Sequence, residues 1–238
     1  MMYLLNEMNN GLSASGSAAL LVGLFVFAGS AFFHARNLLN SESTGWQCFL
    51  AAIVPMLTGT TYLTILLGPG AVELADGRIY HAARWIDASI VSPLILLNIS
   101  LLLGPLTGKL WRLVILLLLT NVLTMLGGLL AGWQTEAAMG WLWYGYGSLA
   151  YFACIWLLFV AIPQTAGKHS VAARRLKAYR RYAALYTVIT LAFPLIWLFT
   201  PAALGQLTLD GEVMAFLPFD LATKVVLLIF ATRRGESI

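Results

Sequence analysis

Seven long apolar runs, each nearly free of charge, limit what this chain can fold into. They lie at about 18–39, 46–67, 82–103, 110–131, 140–162, 182–204 and 213–232. One bilayer crossing takes about 20 such residues, and within one span only a helix closes its own backbone hydrogen bonds. None of the runs alternates with the two-residue period of a barrel strand. The chain is therefore predicted to be an all-α integral membrane protein, a seven-transmembrane-helix bundle forming one domain over 1–238. Its composition excludes the alternatives: 60% of residues are hydrophobic and 10% charged, with a mean hydropathy of +0.84. A soluble domain carries about 25% charged residues. A nucleic-acid-binding module and an appended soluble domain are likewise excluded. The connections are short except for the stretch from Pro163 to Arg181, which is expected to be a loop. The first ten residues, MMYLLNEMNN, lack a basic region and read as an unprocessed chain start.

The basic residues are distributed unevenly between the two sides. One side collects Arg36, Lys109, Arg112, Lys168, Arg174, Arg175, Lys177, Arg180, Arg181, Arg233 and Arg234 against Glu42 and Glu236. The other holds Arg78 and Arg84 against Glu7, Glu73, Asp76, Glu136, Asp210 and Glu212. The positive-inside rule then places the N-terminus outside and the C-terminus in the cytoplasm, in a multi-pass protein of the cell membrane. On this view the pI of about 9.2 reflects cytoplasmic anchors beside anionic lipid. Cys48 and Cys154 sit inside apolar runs and are expected to be buried thiols. His34, His81 and His169 share neither a face nor a metal spacing, so no metal site is expected.

Charges within the spans need a reason, because aspartate or lysine at a helix centre costs about 2.5–3.5 kcal/mol on insertion scales. In FDLATK, Asp220 and Lys224 are four apart; in ARWID, Arg84 and Asp87 are three apart. Each pair shares one helix face. One reading is two structural ion pairs that lock a bundle. The other is a chemical site, since a desolvated lysine is a good amine for condensing with an aldehyde. The resulting Schiff base, once protonated, needs nearby carboxylates as counterions.

Six segments carry a resemblance in order. FDLATK fits a D-x-x-x-K pattern in the last run, and RWIDASIVSPLILLN places Arg84, Asp87 and Pro93 in the third. VPMLTGTTYL places Pro55 and Tyr62 in the second, and FPLIW places Phe193, Pro194 and Trp197 in the sixth. LWYGYGSLAYF contributes Tyr144, Gly147 and Tyr151 in the fifth, while the fourth offers Asn121, Thr124 and Gly128. On these motifs the chain resembles the microbial (type 1) rhodopsins, closest in the fifth run to the sensory and xenorhodopsin branch. The resemblance implies all-trans-retinal bound covalently to Lys224 as a protonated Schiff base. Asp87 and Asp220 would be the counterions and Arg84 a partner gating the outer half. It further implies a pocket that includes Tyr62, Ala88, Ser92, Thr124, Gly128, Tyr144, Gly147, Tyr151, Thr190, Phe193, Pro194, Trp197 and Thr223.

The chain departs from the family at two pocket positions that usually hold tryptophan, here Ala88 and Thr190. Either Trp85 or other aromatics fill the pocket, or it is roomier and polar-edged. The three positions that classify pumps read Asp87, Val91 and Asn98. Asp87 suits a proton acceptor, whereas Val91 lacks the hydroxyl that a threonine often supplies, with Ser92 next to it. Asn98, at the cytoplasmic donor position, cannot lose and regain a carboxyl proton. Glu212 could join Asp210 and Arg84 in an outer release cluster, or simply be solvated. The expected function is a light-driven proton transporter, most simply an outward pump and not an enzyme. The rivals are a sensory photoreceptor with a signalling partner, an inward xenorhodopsin-type transporter, and a retinal-free bundle with structural charges. Protons and the lipid bilayer are the expected partners, and the family implies a homo-oligomer, trimer or pentamer.

Overall fold

The computed structural model describes residues 11–40, 45–168 and 171–236. Glu7, Glu42 and His169 lie outside the described residues. Among the described residues, seven helices are long and apolar enough to span a membrane: α1 (Ala14–Leu39), α2 (Gly45–Leu66), α3 (Ala82–Leu103), α4 (Gly108–Trp133), α5 (Ala137–Lys168), α6 (Ala173–Phe199) and α7 (Leu209–Arg233). The protein is a multi-pass membrane bundle. Consecutive helices pack side by side, and α7 returns against α1 to close the ring. Large apolar side chains point outward all round, including Phe25, Phe32, Leu149 and Val188, each at least 71% exposed. Such a surface suits lipid and would aggregate in water.

The long loop expected from Pro163 to Arg181 is not one. Helix α5 continues to Lys168 and α6 begins at Ala173, which leaves a connection of only a few residues. The apolar run marks where hydrocarbon ends, not where the helix ends. Arg, Lys, Ala and Leu are strong helix formers, so ARRLKAYRR extends α6 beyond its apolar stretch. At its far end α6 stops at Phe199, short of the expected 204. Pro201 disfavours the helical region for Thr200, which is extended at ψ 165°.

Between α2 and α3 the chain forms a small antiparallel hairpin, β1 (Val72–Glu73) and β2 (Ile79–Tyr80), pairing Val72 with Tyr80. Arg78 donates from Nε to Asp76 Oδ2 within the hairpin at 2.6 Å, and fastens it to the bundle by donating from Nη2 to the Gln134 carbonyl at 2.7 Å. The hydrogen bond from Arg78 holds the Asp76 carboxyl below the usual carboxylate range. Helices α4 and α5 approach closely enough that a Cβ on Gly127 would lie 2.6 Å from Gly147 Cα. Both free cysteines are buried, Cys48 on α2 and Cys154 on α5.

Three irregularities shape the interior. Pro194 has no N–H, which removes a donor for the Thr190 carbonyl. Helix α6 accordingly breaks at Leu191 between Ala173–Thr190 and Ala192–Phe199. Helix α5 widens into a π turn at Leu157–Ala161. Helix α7 does the same at Ala222–Val226, the turn that carries Lys224. Such turns often occur at functional sites.

Candidate functional site

Four charged side chains meet in the middle of the bundle. Arg84 and Asp87 are each 5% exposed, Lys224 6% and Asp220 1%. Lys224 Nζ donates to Asp87 Oδ2 at 2.8 Å and pairs with Asp220 Oδ1, also at 2.8 Å. Arg84 Nη1 donates to Asp220 Oδ2 at 3.1 Å. Of the two ion pairs expected within single helices, Asp220 with Lys224 forms, whereas Arg84 pairs with Asp220 in place of Asp87. Arg84 reaches over to α7, and Lys224 bridges α3 and α7. The set balances two cations with two carboxylates, which matters because an unpaired charge at this depth is costly. Tyr62 adds a hydrogen bond from its hydroxyl to Asp220 Oδ2 at 2.8 Å. The Arg84 guanidinium lies over the Phe216 ring, 4.7 Å from its centroid.

Thr58 completes the cluster and was not singled out in the sequence. From α2 its hydroxyl lies 3.2 Å from Asp87 Oδ2 and 3.4 Å from Oδ1, supplying the donor that Val91 lacks. Ser92 does not take that role. Adjacent helical residues point in different directions, and Ser92 Oγ bonds instead to the Tyr186 hydroxyl. The only available signal was that Thr58 lies four residues before Tyr62, on one α2 face.

Away from Lys224 runs an elongated space in two connected parts. A constriction of about 30 Å³ beside the lysine is lined by Arg84, Ala88, Ser92, Ile95, Tyr186, Phe216, Asp220 and Thr223, among others. A cavity of about 220 Å³ follows, lined by Thr124, Gly128, Tyr144, Gly147, Tyr151, Pro194 and Trp197. Trp85, Met125, Thr190 and Phe193 line both. Around Ala88 and Thr190 the aromatic walls are Trp85, Tyr186 and Phe193. Trp85 needs Gly128 opposite it, where a Cβ would sit 2.3 Å from the indole. Trp197 stacks on Tyr144 at 4.6 Å and closes the far end. An amine at one end of a narrow apolar slot, with a wider aromatic chamber beyond, suits an aldehyde with a long unsaturated chain and a terminal ring.

Thr223 lines the constriction, and the other remaining candidates stand outside the slot. Asn98, fully buried on α3, donates from Nδ2 to the Gln47 carbonyl at 2.9 Å. Thr223 bonds back to the Phe219 carbonyl of its own helix at 2.8 Å. Glu212, in the first turn of α7, is 5% exposed and within electrostatic range of Arg84, so it is not a solvated loop residue. Asp210 is half-buried and accepts from the Ser13 N–H at 3.0 Å, at the start of α1. Tyr80, in β2 of the hairpin, donates to the Leu129 carbonyl at 3.1 Å. Burial, reinforced by the Glu212 charge, pushes its phenol well above the usual range.

Similarity to known proteins agrees with this arrangement. The chain is 27% identical over 212 residues to sensory rhodopsin-2 of Natronomonas pharaonis, covering 88% of this chain and 82% of that protein. It is 25% identical over 215 residues to archaerhodopsin-2 of Halobacterium sp. (strain aus-2), covering 88% and 78%. The thermophilic rhodopsin from Rubrobacter xylanophilus superposes with a TM-score of 0.85 at 26% identity, over 93% of this chain and 97% of that one. The model for the family described as bacteriorhodopsin-like protein matches residues 13–235. The chain belongs to the bacteriorhodopsin-like family.

Proposed function

We propose that this protein is a retinal-binding, light-driven proton transporter that moves protons outward, with its N-terminus outside and its C-terminus in the cytoplasm of a cell membrane. Retinal and proton transport are characteristic of the family. The observation that carries the reading is Lys224 Nζ, 2.8 Å from a carboxylate on each of two helices and at the mouth of an elongated aromatic slot. Retinal condensed on that amine would supply the light-absorbing cation and its change of shape. Asp87 receives the proton that leaves Nζ, with Thr58 stabilising its carboxylate. Asp220 is the second counterion, held in place by hydrogen bonds from Tyr62 and Arg84. Glu212, buried within electrostatic range of Arg84, is the group on the outer side from which a proton can leave.

Light on cells in unbuffered salt tests the direction. Acidification abolished by a protonophore supports this reading, and alkalinisation abolished by it means inward transport. An unchanged pH selects the sensor, a reading favoured by the similarity to sensory rhodopsin-2. A sensor would require a signalling partner.

The amide at Asn98 has a kinetic consequence. With no carboxylic acid there, the proton returning to Nζ comes from bulk water on the cytoplasmic side. The blue-shifted state after illumination is expected to decay more slowly as pH rises, by up to about tenfold per unit. Asn98→Asp flattens that dependence, because burial among Ile95, Leu96 and Ile99 keeps the new carboxyl protonated at rest. Flash photolysis between about pH 6 and pH 9 checks both. A wild-type decay independent of pH would place a donor elsewhere.

A further inference from the structure

We propose that Tyr186 is the residue that holds the polyene straight at the lysine end of the slot, an inference that rests on the retinal reading above. Ala88 and Thr190, small where the family usually has tryptophan, would by themselves leave that end wide. It is instead the narrow end, about 30 Å³ against about 220 Å³ in the chamber beyond. Tyr186 lines the narrow end beside both small residues and is not part of the chamber lining. It is one of the largest fully buried side chains among the described residues. Standing one turn before Thr190 on the same face of α6, it supplies an aromatic wall where position 190 supplies none.

The tip of the ring sets Tyr186 apart from an ordinary packed aromatic. Its hydroxyl bonds to Ser92 Oγ on α3 and accepts from Asn121 Nδ2 on α4 at 3.4 Å. The phenol thus ties α6 to two other helices, and a ring anchored at both ends cannot swing aside. Phe193, which also lines the constriction, has no polar tip to anchor. Across from Tyr186 stand Ala88, Ser92 and Ile95 of α3, while Thr223 and Lys224 of α7 close the end. A straight chain threads from Nζ to the chamber between these walls. A chain kinked at the carbon–carbon double bond nearest the amine needs room to one side, and a close-packed interior resists making it. Tyr186 therefore selects the all-trans over the 13-cis chromophore in the dark.

Isomer analysis of the dark-adapted protein tests this. The chromophore is extracted as its oxime, and the isomers are separated and quantified. In the wild type 13-cis is expected to be a minor state, about 10% or less. Tyr186→Phe keeps the ring but unties it, and the ratio of 13-cis to all-trans is expected to rise about fivefold, the scale of one hydrogen bond's net contribution. Ser92→Ala cuts the same tie from α3 and is expected to raise the ratio similarly. Tyr186→Leu removes the wall itself, and the rise is expected to reach at least about tenfold. Tyr179→Phe is the control. Tyr179 is an equally buried α6 tyrosine that donates to the Leu158 carbonyl at 3.2 Å and lines neither part of the slot. Its loss of a hydroxyl should leave the ratio at the wild-type value. Only protein that has formed a visible band is extracted, so poor folding lowers the yield without moving the ratio. If Tyr186→Leu forms no band, Tyr186→Phe and Ser92→Ala decide. An unchanged ratio in both of these overturns the proposal, as does an equal rise in Tyr179→Phe. A dark wild type richer in 13-cis than about 10% overturns it too. If retinal gives the wild type no visible band, the retinal reading itself fails, and this inference with it.

Discussion

Asp87→Asn is expected to abolish light-driven proton transport and shift the visible band to the red. Asp87 is one of two carboxylates 2.8 Å from Lys224 Nζ. Removing its charge raises the energy of a cation centred on that nitrogen and narrows the gap to an excited state in which the charge has moved away. The amide also cannot take a proton, so the transport step loses its base. A positioned base contributes about 10²–10⁴ in rate, which puts residual transport below detection. Thr58→Val provides a graded comparison. It keeps the Asp87 charge but removes the hydroxyl that donates to it, so the carboxylate becomes easier to protonate. In an acid titration followed by colour, the Thr58→Val midpoint should lie above the wild-type midpoint, with transport reduced but present. An Asp87→Asn protein that keeps both wild-type colour and transport would make Asp220 the sole counterion and remove Asp87 as acceptor.

Replacing Lys224 is expected to have the largest effect on colour. Lys224→Ala should yield no visible band with retinal, whereas the wild-type band should bleach with hydroxylamine in light. Alanine also leaves two buried carboxylates facing only Arg84. Breaking a buried ion pair costs about 3–5 kcal/mol, so a poorly folded protein would be an ambiguous outcome. Lys224→Arg resolves it. Arginine preserves the positive charge between Asp87 and Asp220, but its guanidinium does not condense with an aldehyde at neutral pH. A folded, colourless Lys224→Arg protein separates the chemical role of the amine from its part in the ion pairs. Its helical content by circular dichroism shows whether the bundle has formed. A coloured Lys224→Arg protein, or a wild type that stays colourless with its helices intact, would sink the assignment of Lys224.

The seven spans were legible because membrane insertion depends on the summed apolarity of about 20 consecutive residues, a local quantity. The same applies to Asp220 with Lys224 and to Arg84 with Asp87, whose spacing places each pair on one face whatever the surroundings. Their pairing across helices was not legible. Arg84 bonds to Asp220 and Lys224 reaches Asp87 because α3 and α7 face each other at that depth. That contact joins residues more than 130 positions apart. Thr58 beside Asp87 and Tyr186 beside Ser92 escaped notice for the same reason.

The sequence by itself determined a helical membrane bundle with charges buried in two of its spans, since helix period and hydrocarbon thickness act on neighbours along the chain. Only the tertiary structure decided which hydroxyl serves Asp87, how far α5 and α6 extend past the apolar runs, and where Trp197 is left without an acceptor. A hydrogen bond forms or fails over a few tenths of an ångström. The rotation and depth of each helix at that scale are set by packing against its neighbours, such as the close approach of Gly127 to Gly147. No stretch of the chain encodes that packing alone.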